Sequence, residues 1–404
     1  LAPRARFINS QNFPKPGIKK IDRHFDDYIS ARKIAGCSLL LWQQGAERHT
    51  MFKGVQDLES DTPVSRDTIF RIYSMTKPVA SVALMMLWDR GYFDLDDPVA
   101  RFLPKFREMK LYHPAGDHVS AAGQITMRHL LNHTSGLILP AFSEHPLKDL
   151  YVADGVNGSR SEGNLAEVIG RLADKPLLFE PGTRWEYSMA TDVVGHLVEV
   201  IDGRPFDVFL HEEMFEPLGM PDTGFHLPPE MVPRFAGNYT RDGEAPIRPI
   251  DMPATSRYLA VPTYKSGNGG LLSTMDDYLR FCLMLRNRGT LDDIQILKPE
   301  TVDLMTENHL DGDMCDMGAA EFGGLDWRGI GFGFGFSVVL DTERVGYGNK
   351  GIYGWSGAAS TYFWIDPVAD LIAIFFTQFM PSRTYTIRSD LRPLVYEALA
   401  QESI

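Results

Sequence analysis

Apolar positions in this chain follow two rhythms, and the rhythm changes twice along its length. Ile18–Ile34 places apolar side chains at helical spacing among clustered charges, which predicts a surface helix. Gly36–Trp42 is a short apolar run, and Gln43-Gln44-Gly45-Ala46 turns it into Arg48–Val55, which predicts a strand pair. Near the other end, Phe332, Phe334 and Phe336 alternate with Gly331, Gly333 and Gly335. A period of two predicts a strand with one aromatic face and one bare face. Gly346–Gly354 then leads into Ala359–Asp366, Leu371–Met380 is a further apolar run, and an amphipathic helix over Ser382–Gln401 closes the chain.

The middle reads differently. From Val79 to Phe281 the stronger segments are helical: Thr126–Leu131, Asn164–Ala173, Ala190–Asp202, Phe206–Phe215 and Met275–Asn287. Strands at both ends with helices between predict an α/β (α+β) architecture. Residues 1–78 and 282–404 form one domain around an antiparallel sheet, and 79–281 form an inserted, mainly helical domain. The active site is expected in the groove between the two, where ligand sites commonly lie. The chain has 404 residues, enough for such a pair.

Charge and composition narrow the function. A formal net charge of −13 disfavours nucleic acid or an anionic membrane surface as partner. No apolar run approaches the roughly 18 residues of a membrane span. Cys37, Cys282 and Cys315 lie far apart, with neither disulfide nor metal-ligand spacing. Leu1-Ala2-Pro3-Arg4-Ala5-Arg6 lacks the apolar core of a secretory signal, although the chain opens on Leu1 and not on methionine. These features fit a cytoplasmic protein, as a monomer or homodimer.

Three segments carry candidate chemistry. In Ser74-Met75-Thr76-Lys77 the serine and lysine are helix neighbours at i and i+3, and serine needs an adjacent base to act as a nucleophile. Pro78 cannot donate to the Ser74 carbonyl, so the helix starts near Ser74, where unpaired N–H groups favour negative charge. The helix that follows, Val79–Trp88, is apolar almost all round and therefore buried. Burial lowers the pKa of a lysine at its mouth and makes it a base near neutrality. The spacing also suits a capped core helix with a snorkelling lysine. It recurs in Ser30-Ala31-Arg32-Lys33, which reads as a solvated helix end.

Tyr187 lies between the Pro181-Gly182 turn and the Ala190–Asp202 helix, a place where loops hold functional groups. A phenol beside a cationic lysine ionises more readily and can pass a proton to a leaving alkoxide. The alternative is a core tyrosine with a bonded hydroxyl. The third segment, Tyr353–Ser360, has glycines that let a substrate approach the backbone. Within it Gly354-Trp355-Ser356-Gly357-Ala358 nearly matches G-x-S-x-G. That elbow requires a helix after the serine, and a strand-like run follows here, so Ser356 is rejected as nucleophile. His129 and His133 have zinc-compatible spacing but no partnering glutamate or third ligand; they read as helix-end residues serving the Thr134-Ser135-Gly136 turn.

In this order the segments resemble the serine β-lactamase/penicillin-binding-protein superfamily on its class C side, and most of all the family VIII carboxylesterases. Phe70–Lys77 resembles the S-x-x-K segment, Gly91–Val99 the next loop, and His129–Leu137 the "LLxHTSGL" stretch. Phe179–Ser188 is similar to the stretch with the catalytic tyrosine, and Gly267–Thr274 is also family-like. The likeness runs from Ile18 to Met380. It implies Ser74, Lys77 and Tyr187 as catalytic residues, and backbone N–H groups of Ser74 and Ala358 as the oxyanion hole. Trp355, Ser356 and Gly357 are implied to bind substrate, with no metal or cofactor.

Two departures shape the expected activity. Met189 stands where the lactamase Y-x-N pattern has asparagine, and Trp355-Ser356-Gly357 replaces K-T-G. Tryptophan cannot bind a substrate carboxylate as that lysine does; it favours uncharged groups. The resemblance therefore implies a bacterial serine carboxylesterase, a carboxylic ester hydrolase acting on short-chain, uncharged small-molecule esters through an acyl-enzyme. Acyl transfer by the same three residues, weak β-lactamase or D-amino-acid amidase activity, and a catalytically silent binding domain stay open.

Overall fold

The computed structural model describes residues 15–116, 119–121, 123–319 and 322–400. The hexapeptide Leu1–Arg6 and Gln401 lie outside them. Seven antiparallel strands form the central sheet: β1 (Gly36–Gln43), β2 (Ala46–Gly54), β3 (Ile330–Phe332), β4 (Ser337–Val339), β5 (Tyr353–Ser356), β6 (Tyr362–Asp366) and β7 (Leu371–Thr377). Their order is β3-β4-β5-β6-β7-β1-β2, so the chain's first hairpin closes the sheet against its last strand. β1 sits between β7 and β2, with Leu39 opposite Phe375 on one side and Met51 on the other.

Both faces of the sheet are covered, and for that reason β1 and β7 read as continuous apolar runs. Cys37, Leu39, Leu41, Ala373 and Phe375 pack with helices α1 (Lys15–Ser30) and α5 (Ile387–Ala400). Phe25 of α1 stacks on Phe375 with ring centroids 4.8 Å apart. Leu40, Trp42, Ile372, Ile374 and Phe376 face the larger core, which includes α2 (Thr76–Asp89), α3 (Ala190–Asp202) and α4 (Met275–Arg286). α2 has no solvent face: every residue from Thr76 to Leu87 is buried. It lies against α3, which brings the Ser74 and Tyr187 segments together.

Two expected elements differ from what forms. The Gly–Phe alternation is not one strand: β3 ends at Phe332 and β4 begins at Ser337. Between them Gly333 N–H donates to the Phe336 carbonyl at 2.8 Å, and Gly335 adopts φ +90°. A period of two cannot register that a left-handed glycine reverses the chain. All three phenylalanines are fully buried. The helix expected over Phe206–Phe215 is α-helical only to Leu210, then widens into a π turn over His211–Phe215. Among the described residues no helix is long and apolar enough to cross a membrane.

Candidate active site

Ser74 lies in a short 3₁₀ turn, Tyr73–Met75, that runs directly into α2. Tyr73 holds a left-handed φ of +44°, a conformation costing on the order of 1–3 kcal/mol for a non-glycine residue. The surrounding bonds that hold it include Asn238 Nδ2 donating to the Tyr73 hydroxyl at 2.9 Å. The end of β5 packs against the same turn. A Cβ on Gly357 would meet the Ile72 carbonyl oxygen at 2.4 Å and Thr361 Oγ1 at 2.2 Å, so only glycine permits this approach.

Lys77 is 1% exposed, so it does not snorkel. Its Nζ donates to the Asn268 carbonyl at 3.0 Å and lies 4.2 Å from the centroid of the Tyr187 ring. Burial lowers its pKa to about 7, against the opposing pull of Asp192. Asn268 is itself held by Asp192: its backbone N–H donates to Oδ1 at 3.1 Å and its Nδ2 to Oδ2 at 2.5 Å. Ser266 Oγ adds a third bond to the same carboxylate at 2.7 Å. Asp192, through Asn268, therefore sets where the lysine amine sits. Sequence reasoning missed Asp192; its one signal was an acid in the first turn of an otherwise apolar helix face.

Tyr187 is buried at the entry to α3, with Trp355 Nε1 donating to its hydroxyl at 3.4 Å. Burial pushes the phenol well up, and this outweighs its hydrogen bonds to Ser74 and Trp355. The easier ionisation expected beside a cationic lysine is thus reversed. One apolar environment favours the neutral form of both groups. Lys77 is the member of the pair that titrates near neutrality.

The rest of the site is an aromatic wall. The Phe322 ring lies 4.7 Å from Tyr187 and stacks on Trp355 at 6.4 Å. Phe142 meets Tyr187 edge-on at 5.5 Å, and Trp327 stacks on Trp355 at 5.8 Å. Phe142 comes from one loop, Phe322 and Trp327 from a second that precedes β3, and no local pattern marks them. His133 belongs to this cluster too: its Nδ1 is 3.0 Å from Ser188 Oγ and its ring 5.2 Å from Tyr187. His129 instead completes the capping box with Thr126. Among the described residues no cluster of three His, Cys, Asp or Glu is placed to hold a metal ion.

Ser356 ends β5 and is followed by a turn into β6, so no elbow forms around it. Ser30 is exposed at the end of α1. Among the described residues, the backbone N–H groups of Ser74 and Ala358 donate to no backbone carbonyl. The loop bearing Ala358 is pinned on both sides. Gly357 N–H donates to the Thr361 carbonyl at 2.7 Å, and Arg388 Nη2 to the Gly357 carbonyl at 2.8 Å.

This architecture has known counterparts. Residues 21–396 match the Beta-lactamase family, and the chain belongs to it. Protein Rv1367c of Mycobacterium tuberculosis is 34% identical over 364 residues, covering 88% of each chain. Esterase EstB of Burkholderia gladioli is 32% identical over 379 residues, covering 89% of each. Among solved structures, EstCE1, described as a hydrolase with promiscuous acyltransferase activity, superposes with a TM-score of 0.80 at 29% identity. That match covers 95% of this chain and 98% of EstCE1.

Proposed function

We propose that this protein is a serine carboxylesterase that hydrolyses short-chain, uncharged esters through an acyl-enzyme on Ser74. The observation that carries the reading is the buried Lys77 amine, neutral above about pH 7 and packed against the Tyr187 phenol beside Ser74. The likeness to EstB and EstCE1 supports the same conclusion. Ser74 Oγ attacks the ester carbonyl carbon while its proton passes to neutral Lys77. The N–H groups of Ser74 and Ala358 hold the oxyanion; a donor of this kind is typically worth about 3–4 kcal/mol. Collapse expels the alkoxide, which takes the Tyr187 proton, and the Lys77 ammonium restores the phenol. Water then attacks the acyl-enzyme, yielding its proton by the same route, and Ser74 leaves reprotonated.

The aromatic wall around Trp355 suits a short uncharged acyl group, and Met189 and Trp355 disfavour β-lactams and D-amino-acid amides. A panel of p-nitrophenyl esters tests this. Hydrolysis is expected to be fastest for the shortest acyl chains, with a chromogenic cephalosporin a poor substrate. Inertness toward every ester would sink the reading. Acyl transfer is a second reading, favoured by the description of EstCE1. Its mark would be new esters formed when alcohols are added to the same assays.

A pH profile follows from Lys77. Only its neutral form accepts the serine proton, so kcat/KM is expected to climb as pH rises through about 7 and to fall about tenfold per unit below it. Asp192 holds the lysine pKa up. In Asp192→Asn the acid limb is therefore expected to move to lower pH, with kcat/KM reduced as Asn268 loses its anchor. A profile unchanged by the substitution would separate Asp192 from the lysine.

A further inference from the structure

The two proposed oxyanion donors are held differently. Ser74 N–H belongs to the turn that enters α2, whereas Ala358 N–H belongs to the loop between β5 and β6. The peptide unit that carries the Ala358 N–H also carries the Gly357 carbonyl. That peptide is planar and trans, so the two groups point in opposite directions. Whatever fixes the carbonyl therefore aims the N–H. Arg388 fixes it, with Nη2 donating to the Gly357 carbonyl at 2.8 Å. The other bonds hold the flanks of the loop. Gly357 N–H donates to the Thr361 carbonyl at 2.7 Å, and Thr361 Oγ1 donates to the Ile72 carbonyl at 3.4 Å, which ties the loop to the Ser74 turn.

A neutral donor would serve as a clamp, and a cation is costly in this place. Arg388 is the second residue of α5, and a helix N-terminus favours negative charge. Burial opposes the charge as well and lowers the pKa to about 10, which leaves the group cationic at neutral pH. The ionisable groups acting on it are Tyr362, Arg392 and Tyr187, with no carboxylate among them. Its Nε is buried without a hydrogen-bond partner among the described residues. A buried charge without a counter-charge destabilises a fold, so stability does not account for it. What the charge supplies is polarisation. A charge-assisted bond to a carbonyl is roughly twice as strong as a neutral one, and it draws electron density from the N–H of the same peptide, which then donates more strongly.

We infer that Arg388 is a positioning residue for the reaction, whose charge orients and polarises the Gly357–Ala358 peptide so that the Ala358 N–H meets the oxyanion. The inference rests on the esterase reading of Ser74. The same cation serves the second negative charge of the cycle. Tyr187 is a phenolate between giving its proton to the leaving alkoxide and recovering one from Lys77, and Arg388 favours that ionised form. Both charges develop only after the substrate has bound, so Arg388 acts on kcat and leaves substrate affinity alone. Arg388 lies beyond β7, outside every motif that pointed to Ser74, Lys77 or Tyr187.

Hydrolysis of p-nitrophenyl acetate tests it, because an uncharged ester gives Arg388 nothing to pair with directly. Arg388→Met is expected to lower kcat by about ten- to a hundredfold, less than the loss of a whole oxyanion donor, with KM within about twofold of the parent. Arg388→Lys keeps charge and donor and is expected to recover most of the loss. Arg388→Gln keeps a donor alone and is expected to recover little. A short trifluoromethyl ketone adds to a serine as a tetrahedral oxyanion, so its affinity should fall in each variant by the same factor as kcat/KM. The melting temperature of Arg388→Met should hold, since a buried charge has gone; if that variant does not fold, Lys against Gln carries the same comparison. A kcat for Arg388→Met within about twofold of the parent overturns the inference, as does Arg388→Gln matching Arg388→Lys, or a loss borne by KM. A parent inert toward every ester overturns the esterase reading and this inference with it, a result distinct from an active parent whose variants are unchanged.

Discussion

Ser74→Ala is expected to lower kcat/KM for a short p-nitrophenyl ester by about ten-thousand-fold or more, in line with losing the nucleophile of an acyl-enzyme mechanism. The change removes one oxygen from a 3₁₀ turn whose shape is set by backbone contacts at Tyr73 and Gly357, so the melting temperature should stay within a few degrees of the parent. A serine-directed phosphonate should add its mass to the parent protein and not to the variant. Full activity in the variant would remove Ser74 from the chemistry, and with it the acyl-enzyme. Failure of the phosphonate to label the parent would revive the silent binding domain.

Lys77→Met is expected to have nearly as large an effect on rate, about a thousand-fold or more, because nucleophile and base act as a unit. Its effect on stability should have the opposite sign. The lysine pKa is about 7 when folded against 10.5 when free. Between those values the unfolded chain binds the extra proton, so the parent protein gains stability as pH rises through that window. Below about pH 7 the full penalty applies, on the order of a few kcal/mol from the size of the shift. Methionine carries no such penalty; it gives up one hydrogen bond to the Asn268 carbonyl, worth about 1 kcal/mol net. The variant should therefore melt higher than the parent near pH 7, with the gap closing toward pH 10. A variant both inactive and markedly less stable would point to a structural lysine.

Much of the fold was readable along the chain because β1, β7 and α3 carry their own patterns. A run such as Gly36–Trp42 is apolar on both faces because both faces are covered, and Ala190–Asp202 shows its helical stripe and ends at Gly203 with φ +90°. The Gly331–Phe336 alternation misled because turn geometry depends on φ, and residue type alone does not state φ. The candidate chemistry was readable to a similar depth. Ser74 and Lys77 are three positions apart, a separation that one helix turn spans. Tyr187 and Trp355 came through motif order. Phe142, Phe322 and Trp327 share no motif with them.

What the sequence by itself determined is local. It set a helix that begins near Ser74, a lysine one turn on that burial must neutralise, a tyrosine at the next helix entry, and tryptophan in place of a cation. The tertiary structure decided what depends on neighbours remote in sequence: that Asp192 steers Lys77 through Asn268, that burial keeps Tyr187 protonated, and that Arg388 and Arg392 of α5 bond the Gly357 carbonyl and the Tyr347 hydroxyl with no carboxylate partner among the described residues. The physical reason is common to all three. Desolvation and charge pairing depend on what surrounds a side chain in space, and here the surroundings come from segments tens to hundreds of residues apart.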